Sequence, residues 1–302
     1  MNATVSVVIP NLHSPVIGDV LDAVLAQADA GAEPLDVWVV GLDRHGLVRP
    51  SDRVHTVTTQ QPVPPARARN MGSAAAEGQT LIFLDADCIP EPGWLRAMLE
   101  AAARWPDAGA ISGAMLPHGD SCVAQCGQIA GFNEHLTLQS AGKRRILASF
   151  SLLVPRGTWD AVDGFDEQLR TAEDIDFSIR TALSGRPLYF EPRAAVLHRH
   201  QRSTWRSLWS HDFRSGSNSI RVRHRHFPYY RMPEALFRPW VWLLLSPGIA
   251  AARTIQLYSR CPALMRYIQC LPWVTVSKLA WCWGAAAGLR NARGQATAKR
   301  SR

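Results

Sequence analysis

The chain has 302 residues, 47% of them hydrophobic and 19% charged, which is enough for one catalytic domain and a smaller appended region. Its formal net charge of +8 is unevenly divided, because residues 1–198 carry 15 Lys and Arg against 23 Asp and Glu, whereas residues 199–302 carry 18 against 2. Six cysteines without paired spacing exclude a disulfide framework and a zinc site.

Strands and helices alternate through the first hundred residues. The Val- and Ile-rich segment 4–9 predicts a strand that Pro10 stops, and an apolar helical pattern follows through Val20 and Leu25. No basic segment precedes this strand, so we expect no signal peptide. Further strands are predicted at 35–40, 54–57 and 81–84. The alternation predicts an α/β fold with a doubly wound, mainly parallel sheet.

The apolar run 82–84 ends abruptly in two carboxylates, Asp85 and Asp87. Ligands of open α/β sheets lie outside the carboxyl ends of the strands. In an extended chain alternate residues share a face, so these two side chains are expected to converge on one hard cation. An ordinary solvated turn with an Asp at a helix N-cap is the alternative. No dinucleotide or ATP phosphate loop is present in the sequence.

A second acidic cluster opens the helical pattern that starts at Glu173. Glu173, Asp174 and Asp176 suit the positive end of a helix dipole, so simple capping is one interpretation, and it is the one we favour for Asp176.

Six motifs follow one another in an order that is specific as a set. They are VSVVIP at 5–10, ARARNMG at 66–72, DAD at 85–87, GFDE at 164–167, AEDID at 172–176, and His198 at the end of an apolar strand. This set resembles the inverting family 2 glycosyltransferases with the GT-A fold, over roughly residues 4–200.

The resemblance implies a nucleotide-sugar donor, most often a UDP-sugar, across the strand tips, with its diphosphate on Mg²⁺ or Mn²⁺. Asp87 would bind the metal directly, Asp85 would lie by the ribose or reach the ion through water, and His198 would complete the metal shell. His200 is the alternative to His198. Nucleotide-sugar binding is implied for Pro10, Asn11, Asp43, Arg67, Asn70, Asp85 and Ala86.

On the acceptor side, the resemblance places Asp174 below the anomeric carbon as the base that removes the acceptor hydroxyl's proton, with inversion at that carbon. Glu173 would orient the acceptor or support Asp174. Two departures stand out. Gly41, Leu42 and Asp43 replace an acidic residue directly after the second strand, which weakens uracil as the base. The segment 201–205 does not fit the processive Gln-x-x-Arg-Trp box, which favours transfer of a single sugar.

The last third of the chain combines its positive charge with seven of the eleven tryptophans. Arg interleaved with Trp and Leu is typical of helices in the membrane interface. No apolar stretch reaches the ~20 residues of a spanning helix. We therefore predict a GT-A catalytic domain at 1–230 and a basic, amphipathic helical membrane-interface region at 231–302. An ordinary helical subdomain is the alternative, and no nucleic-acid reader motif is present.

The sequence predicts a metal-dependent inverting glycosyltransferase that acts on a membrane-bound, lipid-linked or glycan acceptor. We expect it at the cytoplasmic face of the cell membrane, in peripheral or monotopic contact with anionic lipid and without a nucleic-acid partner. The alternative is a catalytically silent GT-A-fold protein that binds a nucleotide-sugar or serves as a scaffold.

Overall fold

A computed structural model describes residues 5–31, 34–199 and 204–300, and the side chains within 5–27, 34–199 and 204–291. The chain forms two compact units, one of Met1–Leu116 with His135–His200 and one of Pro117–Glu134 with Gln201–Arg302. The division falls before residue 230 because the helix Trp205–Arg225 packs along the C-terminal helix Leu271–Arg300. The boundary predicted at 230 separates a catalytic domain from a membrane-interface region, and it stays a prediction.

The first unit contains a nine-stranded mixed sheet in the order β3-β2-β1-β4-β8-β6-β9-β5, with β7 paired to β9. Six strands, β1 to β4, β6 and β9, run in one direction, and β5, β7 and β8 run in the other. The strands are β1 (Val5–Leu12), β2 (Leu35–Leu42), β3 (Val54–Thr58), β4 (Thr80–Leu84), β5 (Cys88–Pro90), β6 (Ala110–Met115), β7 (Gly142–Arg144), β8 (Ser151–Pro155) and β9 (Leu188–His198).

Ten α-helices and three short 3-10 helices lie in the described part of the chain. The α-helices are α1 (Ile17–Gly31), α2 (Pro65–Ala75), α3 (Trp94–Arg104), α4 (Cys122–Gly131), α5 (Arg156–Ala161), α6 (Glu173–Leu183), α7 (Trp205–Arg225), α8 (Phe227–Tyr230), α9 (Pro239–Arg260) and α10 (Leu271–Arg300). The 3-10 helices are Asn133–His135, Glu234–Phe237 and Pro262–Cys270. The predicted α/β fold with a helical C-terminal extension is confirmed.

The continuous apolar runs became the central strands because both of their faces are covered. All of β4 from Leu81 to Leu84 is buried, as expected for an interior strand. On one side, Phe83 packs with Trp159 and Phe165, and Phe165 packs with Phe177 of α6. This aromatic cluster fixes the turn before α6 to the strand that ends at Asp85.

The second unit is helical. α7 and α9 pack on α10, α4 contacts α7 and α10, and a cluster that includes Ile220, Trp242, Ala285 and Leu289 forms its core. Among the described residues, no helix is both long and apolar enough to cross a bilayer. All six cysteines are free thiols.

Candidate active site

Asp85, Ala86 and Asp87 form a tight turn between β4 and β5, so the extended geometry assumed from the sequence is not found. The backbone N–H of Cys88 donates to the Asp85 carbonyl at 3.0 Å. The hydroxyl of Ser14 donates to the Ala86 carbonyl at 2.6 Å. Because the chain turns here, the carboxylates of Asp85 and Asp87 have different partners.

Asp87 lies against the end of β9. β5 pairs with β9 so that Cys88 stands opposite His198, and the Nε2 of His198 lies 3.2 Å from Oδ2 of Asp87. Ligand atoms of Asp87, Cys88 and His198 all lie within 4.8 Å of one another. The structure thus brings together the predicted ligands Asp87 and His198, whereas His200 lies outside the described residues.

The donor atoms of this cluster fit a divalent cation. A carboxylate oxygen and an imidazole nitrogen suit Mn²⁺, and Mg²⁺ is served by the oxygen alone. The buried thiol of Cys88 has a pKa raised well above its usual value, because burial and the adjacent Asp87 disfavour the thiolate. Asp87 and His198 are therefore the two side chains here that would hold the ion.

Asp85 pairs instead with Arg69 of α2. One terminal nitrogen of the guanidinium donates to Asp85 Oδ1 at 2.5 Å, and the other donates to Glu173 Oε1 at 2.8 Å. The Arg69 residue is only 2% exposed, and its guanidinium lies over the Phe165 ring. One buried cation thus links the carboxylate at the end of β4 to the carboxylate at the start of α6.

Arg69 is the site residue that sequence reasoning missed. Ala66, Arg69 and Ser73 are spaced three and four residues apart, and all three are buried on one face of α2. This helical spacing was readable from the sequence, and an arginine on a face of small residues was its signal.

The two residues of α2 that were predicted to bind the donor lie differently. The Arg67 side chain is 57% exposed, and its ion pair with Glu167 is long, at 3.9 Å. Asn70 clamps the turn before α6, because its amide nitrogen donates to the Phe165 carbonyl and its oxygen accepts from the Phe165 N–H. Contact of either residue with a nucleotide-sugar stays a prediction.

Glu173 and Asp174 start α6, after Ala172 adopts a left-handed backbone conformation with φ of 67°. Glu173 is buried and bound to Arg69, while Asp174 accepts a hydrogen bond from the N–H of Ile175. Burial, assisted by the neighbouring Glu173 charge, raises the pKa of Asp174 to about 7. A carboxylate with this pKa is well matched to accept a proton near neutral pH.

Asp176 has a structural environment. Its Oδ2 lies 2.7 Å from Arg180 Nε, one turn along α6, and Arg180 also donates to the carbonyls of Val162 and Gly164. Asp176 therefore helps to hold the preceding loop, which agrees with the structural role favoured for it.

The tips of β1 and β2 are shaped by Asn11, which follows Pro10. Its amide donates to the Leu42 carbonyl at 3.2 Å, and its oxygen accepts from the Ser14 N–H at 3.0 Å. Gly41 opposite has a φ of +130°, and a Cβ there would collide with the Asn11 carbonyl. This pairing fixes the entrance loop of the expected donor crevice.

Asp43 is engaged by its own loop. Its carboxylate accepts from the N–H groups of His45 at 3.2 Å and Val48 at 2.7 Å. The residue therefore orders the chain after β2, and its contact with a base stays a prediction.

Comparisons with known proteins address the family and the fold. A family model described as "Glycosyltransferase like family 2" matches residues 2–218. A pre-mycofactocin glycosyltransferase of Mycobacterium tuberculosis is 28% identical over 206 residues, which cover 64% of this chain and 42% of that protein. An N-acetylglucosaminyl-diphospho-decaprenol L-rhamnosyltransferase of the same organism is 30% identical over 167 residues, which cover 47% of this chain and 54% of that protein. The matches span about half the length of these relatives.

Two solved structures share the fold. The mannosyltransferase PcManGT from Pyrobaculum calidifontis, in complex with GDP-Man and Mn²⁺, has a TM-score of 0.65 and 18% identity, covering 95% of this chain and 87% of that chain. GalNAc-T7 with UDP, GalNAc and Mn²⁺ has a TM-score of 0.55 and 15% identity, covering 74% of this chain and 48% of that chain. At these identities the likeness is one of fold.

Proposed function

The chain belongs to glycosyltransferase family 2, and on this basis we propose that it transfers one sugar from a nucleotide-sugar to a hydroxyl of a membrane-associated acceptor. The observation that carries the proposal is the convergence of Asp87 with His198 and of Glu173 with Asp85 through Arg69, all at one edge of the sheet. Asp87 and His198, which we propose for the metal and the donor, and Glu173, which we propose for the acceptor side, thereby lie near the ends of β9 and β4.

In the proposed reaction, Asp174 accepts the proton of the acceptor hydroxyl as the oxygen attacks the anomeric carbon. The new carbon–oxygen bond forms while the bond from that carbon to the diphosphate oxygen breaks, and the electron pair leaves with the nucleoside diphosphate. Attack from the opposite face inverts the anomeric configuration. A divalent ion held by Asp87 and His198 would stabilise the charge that develops on the diphosphate.

Arg69 and Glu173 have supporting roles in this proposal. Their buried ion pair fixes the start of α6, and so the position of Asp174, relative to the end of β4. The raised pKa of Asp174 also favours an enzyme over a silent scaffold. A carboxylate kept in an environment that disfavours its charge reduces folding stability, and binding alone does not require it.

For the donor we propose a UDP-sugar, and for the ion Mn²⁺ or Mg²⁺. The fold neighbours were solved with Mn²⁺ and with either UDP or GDP-Man, so the nucleotide belongs to the test. A lipid-linked acceptor is supported by the relative whose name specifies a diphospho-decaprenol substrate. We propose that the protein acts at the cytoplasmic face of the cell membrane, where such an acceptor would be presented.

The first experiment measures nucleotide release from UDP-, GDP- and dTDP-sugars with Mn²⁺, with Mg²⁺ and with a chelator. We expect metal-dependent release from one donor and a loss of about 100-fold or more in Asp87→Ala. Asp160→Ala, on the exposed side of α5, is the matched control and should behave like the parent protein. Metal-independent release, or full activity in Asp87→Ala, would contradict the proposed metal site. Donor binding without turnover in the presence of membrane-extract acceptors would support the scaffold instead.

A further inference from the structure

Helix α9 leaves several large apolar side chains exposed. Its buried stripe includes Ser246, Ala250 and Thr254, at a spacing of four residues. Leu244 is 70% exposed and Ile255 is 64% exposed. The buried face also includes larger residues, and several other large apolar residues of the helix stay exposed. The larger buried residues are Val241, Trp242, Leu257 and Tyr258.

The hydroxyl groups inside have protein partners. Ser246 accepts from Trp283 Nε1 and donates to the Leu243 carbonyl, and Thr254 donates to the Ala250 carbonyl. The hydroxyl groups on the inner face of α9 are therefore hydrogen-bonded within the protein.

The outward residues form one stripe. At 100° per residue, Trp240, Leu244 and Ile255 fall within roughly 60° of one another, and all three are exposed. The stripe and its neighbours, which we call the α9 outer face, comprise Trp240, Leu243, Leu244, Leu245 and Ile255 of α9 and Met265 and Ile268 of the following 3-10 helix. Several large apolar side chains exposed on one helix and on the 3-10 helix after it are typical of an interaction site.

The charged residues around the α9 outer face are basic. Residues 239–270 contain no Asp or Glu, while Arg238, Arg253, Arg260 and Arg266 are exposed at its ends and along its length. Arginine stems can lie along an apolar surface while the guanidinium groups meet anionic headgroups.

Most tryptophans of this region have another role. Trp205 stacks on Trp273, Trp242 packs on Trp281, and Trp209 meets Trp283 edge to face. The tryptophan content that suggested a membrane region from the sequence is thus largely explained by packing between helices. Among the described residues of α9 to α10, Trp240 is the most exposed tryptophan, at 56%.

We propose that the α9 outer face docks on an anionic phospholipid bilayer, with α9 lying in the headgroup layer. The inference rests on the proposed function only in that a lipid-linked acceptor would be met at the same membrane. A second copy of this chain fits the surface less well, because two such faces would bring arginines together without an acidic counterpart. No described helix is long and apolar enough to span, so the contact is interfacial.

The test is flotation of the full chain with vesicles of phosphatidylcholine alone and of equal parts phosphatidylcholine and phosphatidylglycerol. We expect preference for the anionic vesicles and a loss of about tenfold or more in binding for the double variant Leu243→Gln/Leu244→Gln. The matched control is Leu183→Gln, since Leu183 is 65% exposed at the end of α6 and should bind like the parent. Arg253→Gln/Arg260→Gln should remove most of the preference for anionic lipid.

Thermal melts confirm that each variant folds. Unchanged vesicle binding in the leucine double variant would overturn the proposal. It would also be overturned if the parent self-associates in vesicle-free buffer and the double variant abolishes that association without weakening flotation. Nucleotide release from the donor, measured without lipid, separates the two proposals: release without flotation contradicts only the docking surface, and flotation without release contradicts only the transferase.

Discussion

Arg69 and Asp174 illustrate how charge is managed within the candidate active site. Arg69 is buried between two carboxylates, so each of the three charges is offset by a partner in contact with it. Burial and the neighbouring negative charge of Glu173 disfavour the ionised form of Asp174, and the hydrogen bond from the Ile175 N–H offsets only part of this effect. The first arrangement holds the site together, and the second prepares a group to accept a proton.

Asp174→Asn should lose transfer by about 100-fold to 10,000-fold, because an amide cannot accept the proton. The same change should stabilise the fold at pH 8. The folded pKa of about 7 lies above the ordinary value of 3.8, so the parent loses stability as pH rises from about 4 to 7, whereas the amide does not. We expect a gain of about 1–2 kcal/mol, measured by urea unfolding at pH 8, since partial exposure reduces the full effect.

The stability gain should vanish below pH 4, where the carboxyl is neutral in both the folded and the unfolded state. In the parent, kcat/KM should fall about tenfold for each pH unit below about 7, and Asp160→Asn should leave that profile unchanged. A gain in stability that is equal at pH 4 and pH 8 would contradict the raised pKa. Retained transfer in Asp174→Asn would remove this residue from the role of base.

A pair of arginines two positions apart tests the burial of the guanidinium. Arg69→Met leaves Asp85 and Glu173 facing each other without their cation, and we expect a loss of about 3–5 kcal/mol in the free energy of unfolding. Arg67→Met should change that free energy by less than about 0.5 kcal/mol, because the Arg67 side chain is 57% exposed and its ion pair is long. The measurement is chemical denaturation. Equal changes in the free energy of unfolding for the two substitutions would show that the ion pairs of Arg69 with Asp85 and Glu173 do not stabilise the fold.

At the scale of single elements, the sequence predicted the strands that are buried on both faces and missed geometry set by distant contacts. The run before Asp85 is a strand because its side chains are apolar and covered. The turn after it is held by Ser14, which lies 72 positions earlier in the chain. Such contacts leave no local pattern, so the turn that gives Asp85 and Asp87 different partners could not be predicted. The burial of Arg69 could have been, from the helical spacing of α2.

The division of the chain into two units also depends on a contact between distant segments. α7 reads as an ordinary basic helix, and its partner α10 lies dozens of residues later in the chain. The two helices approach closely because Gly216 faces the Trp281 backbone and Gly284 faces the Phe213 backbone. The contact of each glycine with the backbone of the other helix depends on the packing of α7 against α10, so it has no local sequence pattern.

Gly284→Ala tests this close approach. A Cβ at position 284 would stand closer to the Phe213 carbonyl than a carbon can, so α7 and α10 must separate, and we expect a loss of about 1–3 kcal/mol in stability. Gly248→Ala is the matched control, since no atom lies within 4 Å of a Cβ there. That change should be neutral or stabilising by up to about 1 kcal/mol, because alanine favours the helix.

The measurement is the melting temperature of each variant together with its helical circular dichroism. A melting temperature of Gly284→Ala that equals or exceeds that of the parent would mean that α7 and α10 can separate without cost. Gly248 lies inside the same unit, so a loss confined to position 284 identifies the helix contact rather than a general sensitivity to alanine.

For the whole molecule, the segregation of charge connects the two proposals. Residues 1–198 carry a net charge of −8, and residues 199–302 carry +16. An anionic surface would attract the second region and repel the first. The acidic region also holds the candidate active site, where the carboxylates of Asp87 and Asp174 lie.

This segregation predicts different salt dependence for two reactions of the same protein. Raising the ionic strength from about 0.05 M to about 0.3 M shortens the electrostatic screening length to below roughly 10 Å. This length is severalfold less than the size of the molecule. Transfer to an acceptor embedded in anionic vesicles should then fall severalfold, because the arginines near the α9 outer face lose their attraction to the headgroups. Release of the nucleotide from the donor, measured without vesicles, should change little. The charged groups in that reaction are in direct contact, so salt screens them little.

Vesicles of phosphatidylcholine with the same acceptor supply the control. There the rate of transfer should start lower and respond weakly to salt, since the apolar contact remains and the headgroup attraction is absent. An equal response in both kinds of vesicle would mean that the positive charge of residues 199–302 serves some purpose other than membrane attachment. A salt response confined to anionic vesicles would connect the composition of the last third of the chain to the place where the reaction occurs.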